Sequence, residues 1–161
     1  MKPDDNFPPL PEWRHLPGVN NRHPESAFDE IKRRCTPLVS EGNVQSNITW
    51  KYGIRLFNEQ YYWETHELLE EVWARTLHNS MERYLVQCII HLANGGLKAA
   101  LGRENAARRL ADMAEICGQS AYGGKRRLVM GVIRDDIDES CWRLRRNQPP
   151  KRITLHEQDS A

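Results

Sequence analysis

Residues 56–73 read LFNEQYYWETHELLEEVW, which combines aromatic, acidic and histidine side chains more densely than any other stretch of the chain. At about 100° per residue, its apolar side chains fall on one arc of a helix predicted over residues 61–77. The arc consists of Tyr61, Tyr62, Leu68, Leu69 and Val72. His66 lies at one edge of this arc with Glu70 one turn later, whereas Glu64 borders the opposite edge. The stretch therefore predicts an amphipathic helix with titratable groups at both edges of its buried face.

A second helix is predicted over residues 81–101, and it is apolar around most of its circumference, which is typical of a helix enclosed by neighbours. One narrow polar stripe interrupts it. The stripe consists of Gln87, His91, Asn94 and Lys98, at i, i+4, i+7 and i+11. The short connection between the helices favours antiparallel packing. Because buried polar side chains need partners, we expect a polar pocket between the helices 61–77 and 81–101.

The first hypothesis for this pocket is general acid or base chemistry on a small molecule. In it, His66, Glu67 and Glu70 are the catalytic groups, because imidazole and carboxylate side chains are common proton carriers. The substrate would be contacted by Tyr62, Gln87, Asn94 and Lys98. The same pattern is also typical of a histidine that bonds a neighbouring carboxylate for structural reasons, beside a stripe that faces solvent.

The second hypothesis is a divalent metal ion, such as zinc, iron or manganese, as cofactor. The candidate ligands are Glu64, His66, Glu70 and His91. Of these, His66, Glu70 and His91 would form a set of two histidines and one carboxylate, which leaves coordination positions open for water or substrate.

The rest of the chain is also predicted to be helical. Apolar spacing indicates further helices over residues 24–35, 44–57, 104–117 and 125–145, and no segment alternates convincingly with period two. The predicted fold class is therefore all-α, a compact bundle of five or six helices with a proline-rich N-terminal arm.

Composition divides the chain into three parts. Residues 1–23 are predicted to be an extended proline-rich arm, and its apolar side chains, such as Leu10 and Trp13, favour packing on the body. Residues 24–146 form a single helical domain, and residues 147–161 a polar, disordered tail. Within the arm, Arg22 and His23 could close over a site, although His23 before Pro24 is equally well explained as a helix start.

The overall composition predicts a soluble cytoplasmic protein. The 161 residues carry 23 Lys and Arg against 22 Asp and Glu, a net charge of +1, and no apolar run reaches the length of a membrane span. The four cysteines are widely spaced and form no C-x-x-C, so we expect them to be reduced.

The charge pattern bears on partners. Basic clusters occur at 32–34, at 125–127 and in the tail, but no recognition motif accompanies them, so nucleic acid is disfavoured and a small-molecule ligand is preferred. The alternative is a non-catalytic interaction module that binds a protein or nucleic acid through Trp63, the arm or the basic helix ends. Trp63 points away from the apolar arc, which is also compatible with a homo-oligomer interface.

A family resemblance rests on the motif F-N-x-x-x-Y-x-E-x-H-E-x-L-E-x-x-W, which residues 57–73 contain, and on GRENAARRL at 102–110. With these motifs, residues 50–115 resemble the helical family catalogued as domain-of-unknown-function family 309. The arm segment HLPGVNNRHPE, residues 15–25, is similar to the N-terminal segment of a bacterial branch of that family. The resemblance implies a compact α-helical fold and no established reaction.

Overall fold

The computed structural model describes residues 6–157, so the first five residues of the predicted arm and the last four of the predicted tail lie outside the described residues. Within 6–157 the chain forms six α-helices and one short hairpin, which confirms the predicted all-α fold class. The helices are α1 (Asp29–Arg33), α2 (Ile48–Asn58), α3 (Tyr62–Ala74), α4 (Met81–Ala100), α5 (Glu104–Tyr122) and α6 (Arg134–Leu144). The strands are β1 (Leu128–Val129) and β2 (Val132–Ile133), and a 3₁₀ turn spans Val44–Ser46.

Helix α4 lies at the centre of the fold. It begins at Met81 because the Ser80 side chain accepts a hydrogen bond from the backbone N–H of Arg83, at 3.1 Å. Its apolar residues are enclosed by α3, α5 and α6. This helix ends one residue before its predicted end, and the apolar sequence around its circumference correctly indicated an enclosed helix.

Two glycines let neighbouring side chains approach the α4 backbone. A Cβ atom on Gly96 would lie 2.6–2.9 Å from ring atoms of Tyr62, and one on Gly95 would lie 2.7 Å from a methyl group of Leu144. Carbon atoms do not approach so closely without repulsion. The glycine pair therefore allows α3 and α6 to pack tightly against α4.

The hairpin is a departure from the predicted helix over 125–145. Helix α5 continues past its predicted end to Tyr122 and stops where Gly123 adopts a left-handed conformation, with φ of 57°. Strands β1 and β2 then pair antiparallel around Met130 and Gly131, whose φ angles of 51° and 79° suit a two-residue turn. The helix prediction is wrong for residues 125–133, because strands of two residues are too short to show alternation.

The N-terminal helices also differ from their predicted bounds. The helix predicted over 24–35 is helical only in α1, at Asp29–Arg33. The one predicted over 44–57 begins as a 3₁₀ turn, and α2 starts after Asn47, whose side chain accepts a hydrogen bond from the backbone N–H of Trp50. Asn47 is thus the N-cap residue of α2.

A small second core lies between the arm and helices α1, α2 and α3. Its buried members are Ile31, Tyr52, Leu56 and Leu68. Phe7 and Leu10 of the arm pack against this core. Two tyrosine hydroxyls donate hydrogen bonds to arm carbonyls, Tyr52 to Pro9 at 2.9 Å and Tyr61 to Pro11 at 3.1 Å. The described part of the arm therefore lies along the helices.

Residues 148–157 also contact the body, although the sequence indicated a disordered tail over 147–161. Ile153 is buried, and its backbone N–H and C=O both bond the Asn58 side chain, at 2.7 and 2.8 Å. Further along, the His156 N–H donates to the carbonyl of Gly131 at 2.8 Å. Hydrogen bonds to distant residues order this segment despite its polar sequence.

None of the helices within 6–157 is both long enough and apolar enough to cross a membrane.

We expect Gly96→Ala to lower the free energy of unfolding by about 1–3 kcal/mol, because the added methyl group overlaps the Tyr62 ring. Urea denaturation measures the change. Gly42→Ala is the control, since a Cβ there meets only a side-chain oxygen, at 3.7 Å. Combining Gly96→Ala with Tyr62→Leu should recover part of the loss. A Gly96→Ala protein as stable as the control would contradict this account of the helix contact.

Candidate functional site

Glu64 of α3 is an acidic residue with no exposed surface. Its Oε2 atom accepts a hydrogen bond from the backbone N–H of His15 at 2.8 Å and lies 2.7 Å from Nε2 of His23. Its other oxygen, Oε1, is buried and has no hydrogen-bond partner among residues 6–157. Burying a carboxylate is costly unless it is paired, so this contact makes the arm part of the folded unit.

A compact loop over residues 14–20 holds His15 in place for this contact. The Asn20 side chain organises the loop, because it accepts from the backbone N–H of Leu16 at 2.9 Å and donates to the carbonyl of Arg14 at 2.8 Å. Gly18 turns the chain with a φ of 80°. The local sequence LPGVN therefore builds the turn that directs the His15 N–H towards Glu64.

Aromatic rings surround His23. Its imidazole stacks on Trp13 with a centroid distance of 4.6 Å, and it meets Phe28 edge to face at 5.6 Å. Trp63 lies 6.0 Å away, and the same ring also meets His15 at 4.9 Å. These contacts fix the plane of the His23 imidazole beside the carboxylate.

A cavity of about 740 Å³ opens next to this pair, between the arm, α1 and α2. His23 lines it, together with aromatic side chains of the arm and helices. The aromatic residues on its wall are Phe7, Trp13, Phe28 and Tyr52. Glu12, Glu30 and Arg34 supply the charged groups. The cavity thus combines an apolar wall with a few polar groups, as ligand sites usually do.

Tyr52 on the cavity wall is held in its protonated form. Burial raises the pKa of Tyr52 to about 12; the positive charge of Arg55 opposes the rise, while Tyr61 and Glu64 add to it. Tyr52 therefore stays protonated near neutral pH and keeps its hydrogen bond to Pro9.

The arrangement can hold and move a proton. The carboxylate of Glu64 orients the imidazole of His23 through Nε2, while Nδ1 of that ring makes no hydrogen bond within the described residues. A histidine with one nitrogen bound to a carboxylate and the other free is suited to accept or donate a proton.

The sequence-predicted groups of α3 are divided between two sides of the helix. His66 Nε2 lies 2.7 Å from Glu70 Oε1, on a part-exposed side, as expected from their i, i+4 spacing. Glu67 instead faces Lys32 at 3.8 Å, near α1. Glu64 lies two residues, about 200°, from His66 and faces the arm. The three predicted catalytic residues therefore do not form one cluster.

His91 of α4 interacts electrostatically with His66 of α3. His91 is half-buried, and desolvation together with the nearby His66 lowers its pKa below the usual 6.5. Its Nδ1 atom is buried without a hydrogen-bond partner among residues 6–157. Neutral imidazole is therefore the favoured form of His91.

The four predicted metal ligands are not brought together. Glu64 is engaged by the arm, on a different side of α3 from the His66–Glu70 pair that lies towards His91. Across residues 6–157, no group of three or more His, Cys, Asp or Glu side chains is arranged to hold a metal ion. Glu64, His66, Glu70 and His91 therefore do not form one set of ligands within the described residues.

The predicted substrate-binding residues have separate surroundings. Tyr62 is a core residue that packs on Gly96 and Phe57, and burial raises its pKa to about 12. Gln87 and Asn94 are half-buried on α4. Lys98 lines a different cavity, at the turn between α4 and α5. These four side chains do not line the cavity beside His23.

The interaction-module hypothesis named Trp63, the arm and the basic helix ends as binding surfaces. The arm covers Trp63, since His15, His23 and the Arg22 guanidinium all lie against its ring. Several of the basic side chains face carboxylates. The ion pairs include Lys32–Glu67, Arg126–Glu41, Arg145–Asp112, Arg145–Glu115 and Arg152–Glu59.

Sequence reasoning missed His15, Trp13 and Tyr52 as members of the site and left the role of His23 open. One available signal was the segment HLPGVNNRH, in which two histidines flank a Gly and Asn turn. Such a turn in an arm with aromatic residues indicates an ordered loop that presents both histidines.

The comparisons with known proteins support the resemblance. Residues 50–110 match the family model described as Domain of unknown function (DUF309). The matched segment contains Glu64, while His15 and His23 precede it. No curated protein and no solved structure matches the chain significantly.

We expect Glu64→Gln to lower the free energy of unfolding by about 1–3 kcal/mol, because the amide replaces a charged acceptor of two buried hydrogen bonds. The arm should loosen, so trypsin should cut faster after Arg14 and Arg22. Urea denaturation and timed proteolysis measure these two effects.

Glu67→Gln is the matched control on the same helix, since its ion pair with Lys32 is part-exposed and should contribute about 0–1 kcal/mol. Equal cleavage rates and equal unfolding midpoints for the two variants would show that Glu64 does not hold the arm.

We expect His91→Gln to reduce the loss of stability on acidification from about pH 7 to about pH 5. The pKa of His91 is lowered in the fold, so the unfolded chain binds a proton there more readily below 6.5. Stability contributed by neutral His91 is present above that value and is lost as the pH falls. Urea denaturation at each pH measures the effect.

His78→Gln, at an exposed histidine between α3 and α4, is the control. An acid-dependent loss in His91→Gln as steep as in the wild type would rule out His91 as its source.

Proposed function

We propose that this chain, built around its DUF309 segment, binds a small molecule in the cavity between the arm, α1 and α2. His23 would exchange a proton with the ligand, and Glu64 would orient His23. The observation that carries the proposal is the fully buried Glu64 carboxylate, bonded to a histidine on the wall of a 740 Å³ cavity.

The size and lining of the cavity support a small ligand. Ligand sites usually have volumes of about 300–1,000 Å³, apolar walls and a few polar groups in defined positions. Here the aromatic wall would bury the body of the ligand. His23 supplies a polar group whose ring plane is held by Trp13 and Phe28.

The hydrogen bond between His23 and Glu64 supports a role in proton transfer. A buried carboxylate that is hydrogen-bonded to one imidazole nitrogen fixes the orientation and the tautomer of the ring. The second nitrogen can then accept a proton from a ligand or return it. This is the acid and base chemistry expected from the sequence, carried by different residues and in a different pocket.

A thermal-shift screen tests the proposal. The probes are water-soluble aromatic and aliphatic amines, alcohols and carboxylates, added to the full chain. A ligand present at about 100 times its Kd should stabilise the fold by about 2.7 kcal/mol, which raises the Tm by about 5–10 °C.

Two pairs of variants locate the binding. Ala27→Trp should abolish the shift, because Ala27 is exposed and lines the cavity, whereas Ala74→Trp, at the end of α3, should not. His23→Gln should weaken it more than His78→Gln. A shift that survives Ala27→Trp, or no shift from any probe, would refute binding in this cavity.

A further inference from the structure

The first described stretch of the arm, residues 6–13, reads NFPPLPEW and lies along helices α1, α2 and α3. Each proline ring fixes φ at about −65°, and each residue before a proline is restricted to extended backbone. Every residue from 7 to 11 is under at least one of these restrictions, and residues 6–11 form no helix, strand or turn. The sequence therefore favours a polyproline II helix, which has about three residues per turn.

The burial of the arm follows the same period of three. Asn6, Pro9 and Glu12 are exposed, whereas the residues between them are half-buried. The half-buried residues are Phe7, Pro8, Leu10 and Pro11. A β-strand would instead alternate with a period of two. The segment thus lies on the helices as a polyproline II helix with one exposed edge.

The helices contact this segment with tyrosine hydroxyl groups. Tyr52 and Tyr61 donate hydrogen bonds to the carbonyls of Pro9 and Pro11, at 2.9 and 3.1 Å. A polyproline II helix has no internal hydrogen bonds, so its carbonyls are free to accept from such donors. Domains that recognise proline-rich peptides bind them in grooves lined by aromatic residues. The two tyrosines therefore contact the arm as such a groove contacts its peptide.

Apolar contacts accompany these hydrogen bonds. Phe7 and Leu10 pack on the small second core, and the centroids of the Phe7 and Tyr52 rings are 6.0 Å apart. We name the surface beneath residues 6–12 the arm groove. It consists of Ile31, Tyr52, Leu56, Tyr61 and Leu68. The half-buried positions of the arm correspond to the pattern Phe-Pro-x-Leu-Pro, at residues 7–11.

The arm groove therefore has the features of a peptide-binding surface. We propose that it binds a proline-rich segment of another protein, with the pattern Phe-Pro-x-Leu-Pro in the polyproline II conformation, and that the arm is the intramolecular competitor of this segment. The proposal goes beyond the small-molecule function, since its ligand takes the place of the arm instead of lying beside it. A polyproline II helix is largely formed before binding, so it loses little conformational entropy in the groove.

The proline-rich part of the arm can leave the groove while the rest of the arm stays attached. Glu64 holds the arm through His15 and His23, which follow the proline-rich part. The proline-rich part itself is attached by the two tyrosine hydrogen bonds, by apolar packing and by Arg34, which donates to the Asn6 carbonyl at 3.3 Å. Its release exposes the groove and leaves Glu64 paired.

A second copy of this chain is a less favourable occupant. Each copy already has an arm in its own groove, so an exchange of arms gains no new contact in the groove and adds the entropic cost of association. A proline-rich segment of a protein without such a groove has no equivalent contacts to give up.

A fluorescein-labelled peptide with the sequence NFPPLPEW tests the proposal, by fluorescence anisotropy with the full chain. In the wild type the tethered arm competes at an effective concentration of about millimolar. Leu10→Asp should release the arm, because it places a charge on the second core, and should lower the Kd of the peptide about tenfold. Glu12→Gln, at an exposed position of the same arm, is the control and should bind like the wild type. Thermal melts followed by circular dichroism verify that each variant is folded, and Leu10→Ala replaces Leu10→Asp if the latter unfolds.

The mode of recognition is tested in the Leu10→Asp chain. Tyr52→Phe and Tyr61→Phe should each raise the Kd about twofold to tenfold, since each removes one hydrogen bond to a proline carbonyl. Tyr84→Phe, at a tyrosine of α4 that packs on the larger core, should leave the Kd unchanged. The peptide NFAALAEW, with alanine in place of the three prolines, should bind about tenfold more weakly because it is not preorganised.

Four results would overturn the proposal. The first three are no peptide binding by the folded, arm-released chain, equal Kd values for NFPPLPEW and NFAALAEW, and Kd values that neither tyrosine variant changes. The fourth concerns a second copy as occupant and is measured by size-exclusion chromatography of the wild type at low and high concentration. A dimer that Leu10→Asp abolishes would show that the arms exchange between copies.

Discussion

A carboxylate removed from water needs hydrogen-bond partners at a defined position, and Glu64 imposes this requirement on the fold. Helix α3 buries it on the side that faces the arm, and the partners come from His15 and His23, 49 and 41 residues away in the sequence. The arm has no regular secondary structure of its own between residues 6 and 28. Its path over the helices is therefore set by side-chain contacts. Among these, the buried carboxylate of Glu64 requires the most defined placement of its hydrogen-bond partners.

The hydrogen bond between Glu64 and His23 also shapes the candidate site. By holding His23 among aromatic rings, it forms one wall of the cavity and orients the imidazole there. A chain that had only the helical bundle would expose Trp63 and leave Glu64 unpaired. The arm is thus a structural part of the candidate site, and the helices supply the rigid surface on which the arm is ordered.

The features that could be predicted from the sequence are those encoded by residues close together in the chain. Helix α4 was predicted within one residue because its cap at Ser80 and its apolar circumference are encoded in neighbouring residues. The hairpin before α6 was missed because it depends on the left-handed conformation of Met130 in the turn between two very short strands. For the site, helical periodicity placed Glu64 at an edge of the buried face. It could not show that the arm covers that edge, since such pairing depends on contacts far apart in sequence.

The side chain of Asn58 holds both backbone groups of Ile153, which lies 95 residues later in the chain. Bringing such distant positions together has a loop-closure cost that must be met before the contact stabilises the fold. During synthesis from the N-terminus, α2, α3 and α4 emerge well before Ile153 exists. The turn between α2 and α3 is therefore completed only after Ile153 has been synthesised, and the Asn58 side chain of a nascent chain stays in water until then.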